Sequence, residues 1–120
     1  MANRLKSIQL MADNCGLRII PDKNEWSKVS LLLDNTERPL GGETYKSITT
    51  KLIKFLSEDN IQSSVRQWIL TLSELHHVFY GIQTNDGAVL EIQDGDAKWA
   101  AKIQLNHDQI REWINILRPI

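Results

Sequence analysis

Residues 77–105 read HVFYGIQTNDGAVLEIQDGDAKWAAKIQL, and this stretch decides how the fold is read. At its centre lies Asn85-Asp86-Gly87. Asn, Asp and Gly tolerate the left-handed backbone of a tight hairpin turn, so this tripeptide is a strong turn signal. Val78, Tyr80 and Ile82 alternate before it, and Ala88, Leu90 and Ile92 alternate after it. A second turn, Asp94-Gly95-Asp96, leads to Trp99, Ala101, Ile103 and Leu105 on one face. Period-two patterning on both sides of two turns predicts an antiparallel meander of three strands, at 77–83, 88–93 and 98–105.

Working outward, Asn106 is a good N-cap with Gln109 three residues on. Ile110, Trp113, Ile114 and Leu117 then form one helical stripe before Pro119. This predicts a helix from about 107 to 117, packed on the meander with Trp113 buried. On the other side, Trp68, Leu70 and Leu72 alternate as a fourth strand would. Ile61, Val65, Trp68, Ile69 and Leu72 equally fit a helix, and periodicity leaves residues 61–75 open.

Further upstream, residues 44–57 place Tyr45, Ile48, Leu52, Phe55 and Leu56 along a helical stripe. Asp22 and Glu25 have capping-box spacing, and Trp26, Val29, Leu32 and Leu33 share a helical face. That predicts a third helix over 25–33. Asp34 to Gly42 mixes turn formers with Pro and Gly-Gly and reads as a loop. Near the N-terminus, Ile8, Leu10 and Ala12, then Leu17 and Ile19, alternate around Asp13-Asn14-Cys15-Gly16. A hairpin is favoured there over a helix through Leu5, Ile8, Met11 and Cys15. The expected fold class is therefore α+β, an antiparallel sheet packed against about three helices. The 120 residues fit one domain, and no internal repeat is visible.

Composition narrows the function. There are 14 Lys/Arg and 15 Asp/Glu, which disfavours a nonspecific nucleic-acid binder needing a basic excess. A helix-turn-helix from 25–33 and 44–57 would need an unusually long connection. Cys15 is the single cysteine, so no internal disulfide can form. No apolar run approaches the ~18–20 residues of a membrane span. The first residues lack the apolar core of a signal peptide, and the cytoplasm is the expected location.

No catalytic constellation stands out. The chain has no G-x-S-x-G elbow, and Cys15 reads as a buried or turn thiol. His76 and His77 are adjacent, so their side chains diverge on either a strand or a helix, and neither metal nor cofactor is expected. The pair reads as one histidine partly buried by hydrogen bonds and one solvated. Gly41-Gly42-Glu43-Thr44 lacks a phosphate-loop pattern, and Glu43 would repel an anion, which leaves Thr44 as a helix cap. Residues 85–96 hold Asp86, Glu91, Asp94 and Asp96 with no Lys or Arg. An EF-hand count from Asp94 puts Trp99 where Gly belongs and Leu105 where Glu belongs, so calcium is not implied. These carboxylates form either a solvated hairpin or a face that steers a basic partner.

Trp68-Ile69-Leu70-Thr71-Leu72-Ser73-Glu74-Leu75-His76-His77-Val78-Phe79-Tyr80-Gly81, with the acidic hairpin and the richness in Trp, resembles small immunity proteins of bacterial contact-dependent growth inhibition systems. The resemblance lies in overall style and carries no residue signature. It implies a cytosolic, non-catalytic inhibitor that binds one cognate toxin domain, often a nuclease. The binding residues expected on that reading are Asp86, Glu91, Asp94, Asp96, Trp99 and Tyr80. The alternatives are a small enzyme or ligand-binding domain with a pocket near His77, Tyr80 and Trp99, and a homo-oligomeric regulatory subunit.

Overall fold

The computed structural model describes residues 6–57, 67–96 and 98–118, and the backbone alone over 67–70. Strands β1 (Ile8–Ala12), β2 (Cys15–Pro21), β3 (Trp26–Leu33) and β4 (Thr36–Thr44) form one antiparallel meander, followed by helix α1 (Tyr45–Ser57). Strands β5 (Gln67–Leu72), β6 (His77–Thr84), β7 (Gly87–Asp94) and β8 (Ala100–Asn106) form a second, followed by helix α2 (His107–Leu117). The chain is thus α+β with antiparallel sheets, and it repeats one four-strands-then-helix unit that its sequence does not advertise.

The expected meander, the N-terminal hairpin and the last helix are present. Asn106 and Gln109 close a full capping box, each side chain holding the other's backbone N–H. Thr44 caps α1 by accepting from the Ser47 N–H at 3.2 Å. Residues 67–72 of the open segment are strand, while 61–66 lie outside the described residues.

The third helix is corrected: among the described residues there are two α-helices, and 26–33 is β3. The Asp22–Glu25 spacing belongs to a short 3₁₀ turn, in which Asp22 accepts from the Lys23 N–H. Ser27, Val29 and Leu31 are the buried alternating row, at 0–1% exposure. Ser27 disguises that row as polar. It tolerates burial because its hydroxyl donates to the Glu43 carbonyl at 2.8 Å.

The expected loop is corrected too. Asp34-Asn35 is a two-residue hairpin turn, and 36–44 pairs with β3. Its Pro and glycines are accommodated by a bulge. The register jumps from Val29–Gly41 to Ser30–Pro39, so Leu40 is the extra residue. Gly41 is required here, with φ at 121° and the Ser73 carbonyl oxygen 2.3 Å from where a Cβ would stand.

The two halves interlock. The Gly42–Ser73 bridge joins β4 to β5, and β1 lies beside β8. Each helix packs on its own half and also reaches the other. Phe55 of α1 lies over Gly81 of β6, whose missing side chain makes room for the ring. Gln83 of β6 also donates to the Phe55 carbonyl. Trp113 of α2 is fully buried and donates to the Met11 carbonyl of β1 at 2.9 Å. One apolar cluster takes residues from every strand and both helices. On β6 its face is His77, Phe79 and Gly81. Val78, Tyr80 and Ile82 lie half-buried on the opposite face.

Candidate ligand-binding groove

The interlock brings β4 of the first half against the strand-end turns of the second. Between them lies an open groove of about 800 Å³. Arg38 and Pro39 from β4 form one side. Leu75 and His76 come from the β5–β6 turn, His77 from the first position of β6, and Asp94, Gly95 and Asp96 from the β7–β8 turn. The β5–β6 turn holds Glu74 and His76 at φ of 69° and 53°, a region sparsely used by residues other than Gly. This backbone presents Leu75 at 51% exposure, an unusual place for a large apolar side chain.

His77 is the chemical centre of the groove. Register places it between Leu72 of β5 and Asp94 of β7. The residue is only 4% exposed, its ring nitrogens have almost no solvent-exposed surface, and the Leu40 backbone is its hydrogen-bonding neighbour. The burial comes from packing, with Trp99 standing edge-on at 6.0 Å between centroids. His76, its neighbour, is solvated as expected.

Burial pushes the His77 pKa below its ordinary value, because the imidazolium loses its hydration. The Leu40 backbone opposes that shift, the Arg38 charge adds to it, and Asp94 opposes it. His77 is consequently neutral at pH 7, with one N–H donor and one bare acceptor nitrogen.

Trp99 is held by its neighbours. The Arg38 guanidinium carbon sits 3.8 Å from its ring centroid, a cation–π stack. One Asp94 carboxylate oxygen accepts from the Lys98 and Trp99 N–H groups at 2.8 and 3.3 Å, which fixes the turn. The Arg38 Nε is buried without a partner. Like the His77 ring nitrogens it has almost no solvent-exposed surface, so these atoms lie behind the groove wall.

The sequence-predicted residues divide among three places. Asp94 and Asp96 line the groove with His77, and Trp99 stands against His77 and Arg38 beside it. Asp86 is exposed at the other end of the β6–β7 hairpin, seven residue steps and about 24 Å away along the strand. Glu91 and Tyr80 are cross-strand partners on the open sheet face, behind the row that carries His77. Glu91 has a cation after all: Lys102 of β8 reaches it at 3.7 Å, and Gln93 donates to its other oxygen at 2.6 Å. Tyr80 therefore does not share a pocket with His77.

Sequence reading missed Arg38, Pro39 and Leu75. The first two sat in an apparent loop. A bulky apolar Leu75 between Glu74 and His76 was the one visible signal. Cys15 is half-buried at the start of β2, and burial, then Asp13 and Asp34, raise its thiol pKa. Among the described residues no three His, Cys, Asp or Glu side chains converge as metal ligands. No helix among them is long and apolar enough to cross a membrane. Neither the protein-family models nor the curated proteins contain a match to this chain.

Proposed function

We propose that this chain is a non-catalytic binding module whose site is the groove framed by Arg38, Leu75, His77 and Trp99. The observation that carries this reading is the convergence on one open cleft of Arg38, held by its stack on Trp99, and exposed Leu75 from opposite halves of the chain, against the buried His77. Binding without turnover fits the surroundings. Among the described residues no nucleophile or carboxylate lies within hydrogen-bond reach of His77, so it lacks the orienting group that acid–base catalysis requires. The test is a screen of small polar fragments against the isotope-labelled chain. Shifts confined to residues 38–40, 75–77 and 94–99 are expected. Fragments clustering anywhere else refute the assignment.

A second reading is favoured by the rim. Exposed Leu75 and Asp96 beside Trp99 and Arg38 combine an apolar anchor, an acidic edge and the residue types that dominate binding hot spots. On this reading the chain is a cytoplasmic immunity protein, and a basic toxin domain, such as a nuclease, docks its cationic surface there. Asp96→Lys should then slow association with that domain at physiological ionic strength, while Asp86→Lys, about three Debye lengths away, should not. Equal effects of the two reversals sink this version.

A further inference from the structure

We infer that the Arg38–Trp99 stack is an acid-released latch across the joint of the two halves, with protonation of His77 as its trigger. The latch takes one residue from each half: Arg38 lies on β4, and Trp99 directly precedes β8. The guanidinium carbon is 3.8 Å from the indole centroid. His77 stands edge-on to the same indole at 6.0 Å, in a place closed to water. Among the described residues two charges face its ring from packed elements, Arg38 from β4 and Asp94 from β7. The other ionisable groups of the two turns, Glu74, His76, Asp96 and Lys98, are exposed.

At neutral pH the joint holds one cation, one carboxylate and a neutral imidazole with the Leu40 backbone as its hydrogen-bonding neighbour. Protonation adds a second cation beside Arg38 and makes both ring nitrogens donors. Water is shut out and cannot compensate that charge. Asp94 offsets part of it, but one Asp94 oxygen is already held by the Lys98 and Trp99 N–H groups. Arg38 is the partner freer to move. His77 opens β6 with a strand on either side, at Leu72 and Asp94. Among the described residues Arg38 pairs only with Leu31 of β3, and its long side chain borders the open groove. Swinging out carries one cation into water, hydrates the buried Nε and lets solvent reach the imidazolium. The groove then loses one side, and the halves lose a contact between them. The latch needs no occupant in the groove.

Acid titration of the full chain by nitrogen-15 NMR tests the latch through the His77 ring nitrogens, the Arg38 Nε–H and the Trp99 indole N–H. Below about pH 6.5, the ordinary histidine value, all of these signals should move with one midpoint. The Arg38 signal should end where a free arginine side chain resonates. Far-UV circular dichroism should hold steady through that step, which separates release of the stack from unfolding. His77→Phe keeps a ring and removes the titration, so the Arg38 signal should hold its neutral-pH position across the window. Arg38→Met removes the second cation, so His77 should titrate at higher pH than in the parent. The latch is overturned if the Arg38 signal stays in its stacked position after His77 has titrated, if it moves equally in His77→Phe, or if it moves only as circular dichroism is lost. An Arg38→Met midpoint at or below the parent's overturns it too. Should His77→Phe not fold, the parent decides: coincident Arg38 and His77 steps support the latch, and separate steps overturn it.

Discussion

Trp113→Ala tests whether the two halves are truly interlocked. Trp113 lies in the middle of the second-half helix α2, its indole is fully buried and its N–H bonds a carbonyl 102 residues earlier in the chain. Deleting a buried large aromatic costs about 3–5 kcal/mol, through lost burial and the cavity left behind. The Met11 carbonyl would also lose its donor, which places the loss toward the upper part of that range. A domain of this size is stabilised by roughly 6–18 kcal/mol, so a quarter or more of the stability rests on one side chain. With a urea dependence on the order of 2 kcal/mol per molar, the unfolding midpoint should fall by about 2 M. Trp113→Phe keeps most of the ring and loses only the N–H and some volume. It should fall by about 1–2 kcal/mol, between parent and alanine variant. Urea unfolding followed by far-UV circular dichroism reads all three. A Trp113→Ala midpoint equal to the parent's would refute both the burial and the bracing of the two halves by this side chain.

Gly81→Ala tests the reciprocal contact. Its Cβ would stand 2.7 Å from the Phe55 ring, so overpacking should cost about 1–3 kcal/mol by thermal unfolding, with part recovered when Phe55→Leu is added. Asn106→Ala removes the α2 capping box and should cost about 1 kcal/mol, seen as faster amide exchange in the first turn of α2. His77 predicts a pH dependence. Its folded pKa lies below the unfolded value near 6.5, so the unfolded chain binds more protons just beneath that pH. Stability should be full above 6.5 and fall as pH drops from there through the lowered folded pKa, with His77→Phe flattening that part of the profile. A parent profile that rises on acidification through this window would contradict the burial of a neutral imidazole.

The parts of the fold that were legible in sequence are those whose local chemistry agrees with their tertiary setting. Asn85-Asp86-Gly87 reads as a turn and forms one, with Gly87 taking the positive φ of 147° that suits glycine. Asn106 and Gln109 cap a helix in sequence and in space. β3 and β4 were illegible because tertiary structure overrides their local signals. Ser27 interrupts an alternating row that becomes visible only once the Glu43 carbonyl satisfies it. Pro39 and Gly41 read as loop because the bulge accommodating them depends on β3 beside them and Ser73 beyond. The groove was half legible for the same reason. Asp94, Asp96, His77 and Trp99 lie close in sequence, but Arg38 arrives from the first half. Nothing local could show that a cation from residue 38 lies over a Trp at 99.

The repeated architecture bears on how His77 is held. Each half has a residue that opens its second strand and pairs with the end of its first: Cys15 with Ala12, and His77 with Leu72. Each also meets the fourth strand of the opposite half. Cys15 lies against the Lys102 carbonyl of β8, and His77 against the Leu40 backbone of β4. The two positions are 62 residues apart, and so are their two backbone neighbours. At the first position the frame satisfies the polar atom, since the thiol reaches the Ala12 and Lys102 carbonyls at 3.7 and 3.9 Å. At the second, the Leu40 backbone is the hydrogen-bonding neighbour of a larger, two-sided imidazole that burial disfavours in its charged form. The frame thus holds a bulky polar ring where a single weak donor suffices in the sister half, and burying that ring costs stability. His77→Cys, which restores the sister chemistry, should therefore raise the unfolding midpoint in urea. An unchanged or lower midpoint would show that the imidazole is fully satisfied within the protein.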